Sequence, residues 1–108
     1  MIVKAQEAQV VEVEPGIRRQ ILGYDAQLML VRVTLDAGAI ARLHSHPHRQ
    51  VTYVESGAFE ATVDDRTIAI SSGDCYFVPP NVPHGVRTIA AGVLIDVFTP
   101  AREDFIYR

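Results

Sequence analysis

The segment His44-Ser45-His46-Pro47-His48-Arg49-Gln50 places three of the chain's four histidines within five residues. Neutral imidazole binds Zn, Ni, Cu, Mn or Fe, so a His-x-His pair is a candidate grip for one ion. Residues two apart on a strand share a face. That predicts that His44 and His46 project together, with Gln50 on the same parity if the strand runs on. The fourth histidine, His84, sits in VPPNVPHG, at the start of another run and behind a turn stiffened by prolines. A lone His-x-His fits a surface loop as readily as a metal site. What favours the metal is the sequence on either side of each histidine.

The elements that must position these residues read as strands. Short apolar or alternating runs, rich in Val, Ile, Thr, Tyr and Phe, cover residues 9–13, 27–35, 51–55, 59–63, 67–70, 74–78, 85–89 and 93–98, each closed by turn-forming residues. About eight such runs without a convincing helical stretch predict a β-sandwich or barrel. Only the tail, residues 101–107, has room for a short helical turn. Residues 1–8 are left either to fray or to add a strand to a partner's sheet.

Composition narrows the class. With 108 residues, 48% of them hydrophobic and 21% charged, the chain can bury one core, and a single domain over 1–108 is expected. A net charge of -3 and singly scattered basic residues argue against a nucleic-acid surface and against an anionic membrane. Cys75 is the sole cysteine, so no intrachain disulfide can form, and no segment reads as a signal peptide or membrane span. These features predict a cytoplasmic protein.

Two stretches resemble the paired motifs of the cupins. GAIARLHSHPHRQVTYVESG follows the pattern G-x5-H-x-H-x3-E-x6-G through Gly38, His44, His46 and Gly57, with Gln50 in the glutamate's place. GDCYFVPPNVPHGVRT follows G-x5-P-x-G-x2-H-x3-N through Gly73, Pro79 and His84, with Asn81 replacing the glycine and Thr88 the asparagine. Between residues 38 and 88 the resemblance covers about half of the chain. It implies an all-β, double-stranded β-helix (jelly-roll) barrel whose interior holds a metal, in agreement with the strand reading.

Gln50 and the terminal run IDVFTPAREDFI are similar to the small cupins of pectin degradation, the KdgF type, which turn a cyclic 4,5-unsaturated uronate into its open-chain keto acid. GIRRQIL and LMLVRVTLDAGA extend the similarity upstream. The resemblance implies His44, His46, Gln50 and His84 as ligands of one divalent transition metal (Ni, Mn, Fe or Zn). It implies Asp96 and Arg102, six positions apart, as the residues that serve the substrate. It also implies a small anionic sugar acid as substrate and a homodimer as the assembly. His48 and Phe98 are weaker candidates for the substrate pocket.

The chemistry suits these residue types. Ring opening removes the proton of the C1 hydroxyl, breaks the C1-O5 bond and protonates C4, so charge develops on O5 beside a carboxylate. Three imidazoles and an amide leave the full charge of a divalent ion for that substrate, whereas a glutamate ligand would cancel part of it. Arg102 suits the carboxylate as a planar two-pronged donor, and Asp96 suits the proton.

Each assignment has a plainer competitor. On strand pattern alone Asp96 fits the outer face, Arg102 ordinary charged surface, and Phe98 the core. Tyr53, Tyr76 and Phe77 read as core or interface residues. A quercetinase-like dioxygenase and a non-catalytic sugar-sensing cupin remain alternative functions. The first usually keeps the glutamate that this chain lacks, and the second is often fused to a DNA-binding module, which this chain also lacks.

Overall fold

Alternation of side chains governs the architecture of the computed structural model, which describes residues 1–106. Eight antiparallel strands make up one continuous curled sheet: β1 (Val11–Glu14), β2 (Ile17–Tyr24), β3 (Met29–Leu35), β4 (Ile40–His44), β5 (Arg49–Val63), β6 (Arg66–Ser71), β7 (Cys75–Val78) and β8 (His84–Thr99). A one-turn helix, α1 (Glu103–Ile106), follows in the tail. The expected helical turn is therefore present up to Ile106, and Tyr107 lies outside the described residues.

The long strands β5 and β8 organise the rest. The second half of β8 pairs with β3 and with the first half of β5, which also carries β7. The first half of β8 pairs with β4 and with the second half of β5, which also carries β6. Each long strand thus belongs to both ends of the jelly roll. The apolar runs in the sequence break each of them in two, at Ser56-Gly57 and between residues 89 and 93. The structure shows bulges there, with register shifts between Val54 and Ser56 and between Ser56 and Ala58. Gly57 has φ +90°, and a Cβ on Gly92 would lie 2.1 Å from the Ser56 carbonyl oxygen, so these glycines allow two backbones to pass close together.

Two strands went unread from sequence. In β2 the inward positions are Ile17, Arg19 and Ile21, and the buried Arg19 broke the apolar alternation. β4 has an exposed face and no fully buried residue. Residues 5–7 form a single 3-10 turn held by Gln20, whose Nε2 donates to the carbonyls of Ala5 at 2.7 Å and Ala8 at 3.2 Å, so this N-terminal segment docks on its own chain.

Val54, Phe59 and Ala61 of β5 and Val86 and Leu94 of β8, drawn from both halves of the long strands, pack with Ile17 of β2 and Leu35 of β3 into one core. A second cluster, Met29, Val31, Phe98 and Ala101, fills the end where the tail crosses. At about 25 cal/mol per Å² of apolar area, such burial is the main force holding the roll closed. Among the described residues no helix is long and apolar enough to cross a membrane.

Candidate metal centre

His44 and His84 face each other across strands, as paired residues of β4 and β8 with ring centroids 4.3 Å apart. The backbone fixes each ring. His44 Nδ1 lies 2.7 Å from the Arg42 carbonyl and His84 Nδ1 2.9 Å from the Val82 carbonyl, so each Nδ1 donates to the backbone and the Nε2 of each ring is the nitrogen outside that bond. Gly85 lets β4 approach this closely, since a Cβ there would sit 2.7 Å from the Ala41 carbonyl oxygen.

His46 arrives by a different route from the one expected. β4 ends at His44, and the expected continuation of the strand through Pro47 does not occur, because proline has no N–H for the ladder. His46 lies in the loop between β4 and β5, pinned where its carbonyl accepts from the Asn81 N–H at 2.8 Å. Asn81 has φ +65°, a left-handed conformation that asparagine tolerates, which explains how it serves where the motif has glycine. Gln50 returns to strand geometry at the start of β5, where the even-numbered positions Gln50, Thr52 and Val54 point inward.

Ligand atoms of His44, His46 and His84 lie within 4.8 Å of one another. His46 Nε2 is 3.2 Å from His84 Nε2 and 3.0 Å from Gln50 Oε1. Ligands about 2.1 Å from a common ion stand roughly 3.0 to 3.4 Å apart in octahedral or tetrahedral arrangement, so the His46–His84 and His46–Gln50 spacings match those of ligands sharing an ion. Protonation favours the same answer. Burial, assisted by the nearby Arg102 guanidinium, pushes His46 down to about 4, and burial lowers His84 as well, so both stay neutral as ligands must.

Beside the histidines lies a cavity of about 100 Å³, lined in part by Gln50, Asp96, Phe98 and Arg102. Asp96 faces it and not the outer surface. Cross-strand pairing sets Thr52 opposite Asp96 and Gln50 opposite Phe98. Gln50 Nε2 donates to Thr52 Oγ1 at 2.8 Å, and Thr52 Oγ1 donates to Asp96 Oδ1 at 2.6 Å. Burial drives the Asp96 carboxyl up to about 6, against the opposing pull of Thr52 and Arg102. Phe98 is both core and pocket wall, buried with its ring edge-on to His46 at 5.8 Å.

Arg102 is buried just before α1, its guanidinium 4.2 Å from the Phe105 ring centre and 5.2 Å from that of Phe98. Nε and Nη2 donate to Asp104 at 3.0 and 2.8 Å, leaving the Nη1 end outside that pair. Arg102 also borders an open groove of about 550 Å³ shared with His46, His48 and Asp104. His48 therefore stands at the rim, 5.3 Å from the His46 ring, and burial lowers its pKa.

Two neighbours of Asp96 carried no usable signal in the sequence. Thr52 reads as an ordinary strand residue until its pairing with Asp96 is known. Tyr76, read as core or interface, lines the cavity near Thr52 and Asp96, and burial raises its pKa and keeps it a neutral hydroxyl. Tyr53 and Phe77 are exposed on the outer face.

Residues 31–98 match the family model described as "Cupin domain". The chain is a cupin. This cupin is 39% identical over 97 residues to the pectin degradation protein KdgF of Dickeya dadantii, covering 88% of each chain. It superposes on an RmlC-like cupin from Shewanella frigidimarina with a TM-score of 0.93 and 40% identity, covering 96% of this chain and 94% of the other. KdgF from Halomonas sp. gives a TM-score of 0.93 at 34% identity, covering 97% of both. Such likeness, nearly end to end, makes the cupin a relative of the KdgF proteins in particular.

Proposed function

We propose that this cupin opens the ring of a 4,5-unsaturated uronate released by the breakdown of pectin or a similar polyuronide, giving the linear keto acid. The observation that carries the reading is the arrangement of one site, where three clustered imidazoles and the Gln50 amide stand beside one raised carboxyl, Asp96, and one buried arginine, Arg102. Likeness to the KdgF proteins supports it independently. His44, His46, His84 and Gln50 would hold one divalent transition metal, such as Ni, Mn, Fe or Zn, which when bound supplies Lewis acidity to the oxygen where charge develops.

The chain's own residues account for binding and proton movement. Arg102 receives the substrate carboxylate through the part of its fork that Asp104 leaves open, and the aromatic rings beneath hold the guanidinium plane in place. Asp96 takes the proton of the C1 hydroxyl as the C1-O5 bond breaks, and returns it to C4 of the resulting enol. Its carboxyl near 6 suits both halves of that transfer around neutral pH, a contribution of roughly 10²–10⁴-fold. Phe98 and the apolar wall shield the enol from water. His48 at the groove's rim meets the incoming sugar acid.

The same reading places the protein in the cytoplasm as a homodimer. Exposed Val51, Tyr53 and Phe77, on the outer face of adjoining strands, are apolar surface that a second copy would cover. The activity is tested by mixing metal-replete protein with freshly generated unsaturated galacturonate and following the ultraviolet absorbance of the conjugated double bond. Faster loss than in buffer, abolished by a chelator, is expected. An unchanged rate overturns the reading.

A further inference from the structure

Gln50 imposes a requirement that a glutamate in its place would not. A carboxylate offers two equivalent oxygens, whereas an amide has an oxygen at one end and a donor NH2 at the other, so it ligates in one orientation only. Gln50 is buried, with Oε1 3.0 Å from His46 Nε2 and Nε2 2.8 Å from Thr52 Oγ1. Thr52 is fully buried, and its one hydroxyl proton goes to Asp96 Oδ1 at 2.6 Å. With that proton committed, the Thr52 oxygen meets Gln50 as an acceptor, and an acceptor matches only the NH2 end of the amide.

We infer that Thr52 is a positioning residue of the metal centre: accepting from Gln50 while donating to Asp96, it locks the Gln50 amide with its oxygen toward His46. This rests on reading the histidine cluster as a metal centre and deepens that reading. It also ties the orientation of a ligand to the residue proposed to carry the proton. A neutral ligand leaves more charge for an anionic substrate, and Thr52 is the element that makes an amide dependable in that role. A flipped amide would put its oxygen against the Thr52 oxygen and its NH2 toward the ion, losing both contacts at once in a buried place.

The test is a cycle of substitutions read by Zn²⁺ affinity, measured by titration calorimetry on metal-stripped protein. Thr52→Val keeps the shape of the side chain and removes the hydroxyl, and it is expected to weaken Zn²⁺ binding by about 10- to 100-fold, the usual loss for a group that orients a ligand. Thr52→Ser is expected to restore binding to within about threefold. In a Gln50→Glu background the ligand has no wrong end, so Thr52→Val should change affinity by less than about threefold there. Should the valine variant not fold, Thr52→Ala gives the same comparison.

An equal loss in both backgrounds assigns Thr52 a packing role and overturns the inference, as does no loss in either. Failure of the unsubstituted protein to bind Zn²⁺ overturns the metal reading beneath it. Turnover of a uronate does not enter the readout, so failure of the proposed reaction is seen separately.

Discussion

Arg102 holds Asp104 side-on, Nε and Nη2 reaching the two carboxylate oxygens at 3.0 and 2.8 Å, although Arg102 is buried and Asp104 is exposed. A buried guanidinium paired this way is half committed. The pair lowers the Asp104 pKa and leaves the cavity one cationic end for an anionic guest. Arg102→Lys replaces that end with a point charge that cannot bridge a carboxylate. Because hydrogen bonds to charged groups are worth about 1.5–3 kcal/mol, kcat/KM on the unsaturated uronate should fall about 10- to 100-fold. Metal content, measured by atomic emission, should not change.

Asp96→Asn should reduce turnover by roughly 10²–10⁴-fold while the protein still loads metal. The same variant makes a stability prediction for metal-free protein. The folded pKa of about 6 lies above the ordinary value of 3.8, so ionising Asp96 penalises the folded state, starting near the lower value and in full above about 6. At about pH 7 the penalty is at most about 3 kcal/mol, at 1.36 kcal/mol per unit. The asparagine variant should therefore melt higher than the parent near pH 7, with the gap closing near about pH 4. Differential scanning calorimetry across that range reads it, and a gap independent of pH would show that Asp96 is not the titrating group. His46 acts in the opposite direction in both proteins. Held down to about 4, it costs stability as pH falls below its ordinary 6.5, and this cancels in the comparison.

Chelation should lower the melting temperature as well as the activity. A ligand present at 100 times its Kd stabilises by about 2.7 kcal/mol. For a domain of this size that corresponds to roughly 10–20 °C. Thermal melts with and without added metal measure the shift.

Gly92→Ala tests the bulge. Its Cβ would lie 2.1 Å from the Ser56 carbonyl oxygen, with backbone on every near side, so neither strand can yield cheaply. A loss of at least about 3 kcal/mol in urea unfolding is expected, at the severe end of single substitutions. A loss below about 1 kcal/mol would mean that the strands separate easily at this crossing.

Much of this was legible in the sequence, for physical reasons. Strand runs rich in β-branched residues gave the all-β class, and the two motifs gave the barrel and its histidines. What escaped reading depended on contacts between distant residues. β2 was hidden because Arg19 occupies an inward position, its guanidinium 3.8 Å from the Phe105 ring centre in the tail, a contact between residues far apart in the chain. Ser56-Gly57 carried the composition of a turn, while the φ of +90° and the crowding against Ala90 and Gly92 belong to a bulge. His46 reached the cluster through a loop that the parity argument had treated as strand. Thr52 and Tyr76 became visible only when pairing set them beside Asp96. Asp96 fits the outer face on pattern alone, yet it lines the cavity, since alternation gives parity but not which face is inside.

The most direct test of the account is a proton NMR time course on freshly generated unsaturated galacturonate, with metal-replete protein, the Asp96→Asn variant and buffer compared. With the unsubstituted protein the vinyl C4 proton should disappear and a C4 methylene of the open-chain keto acid should appear, well ahead of buffer, while the variant tracks the buffer. Equal rates in all three samples would contradict the account.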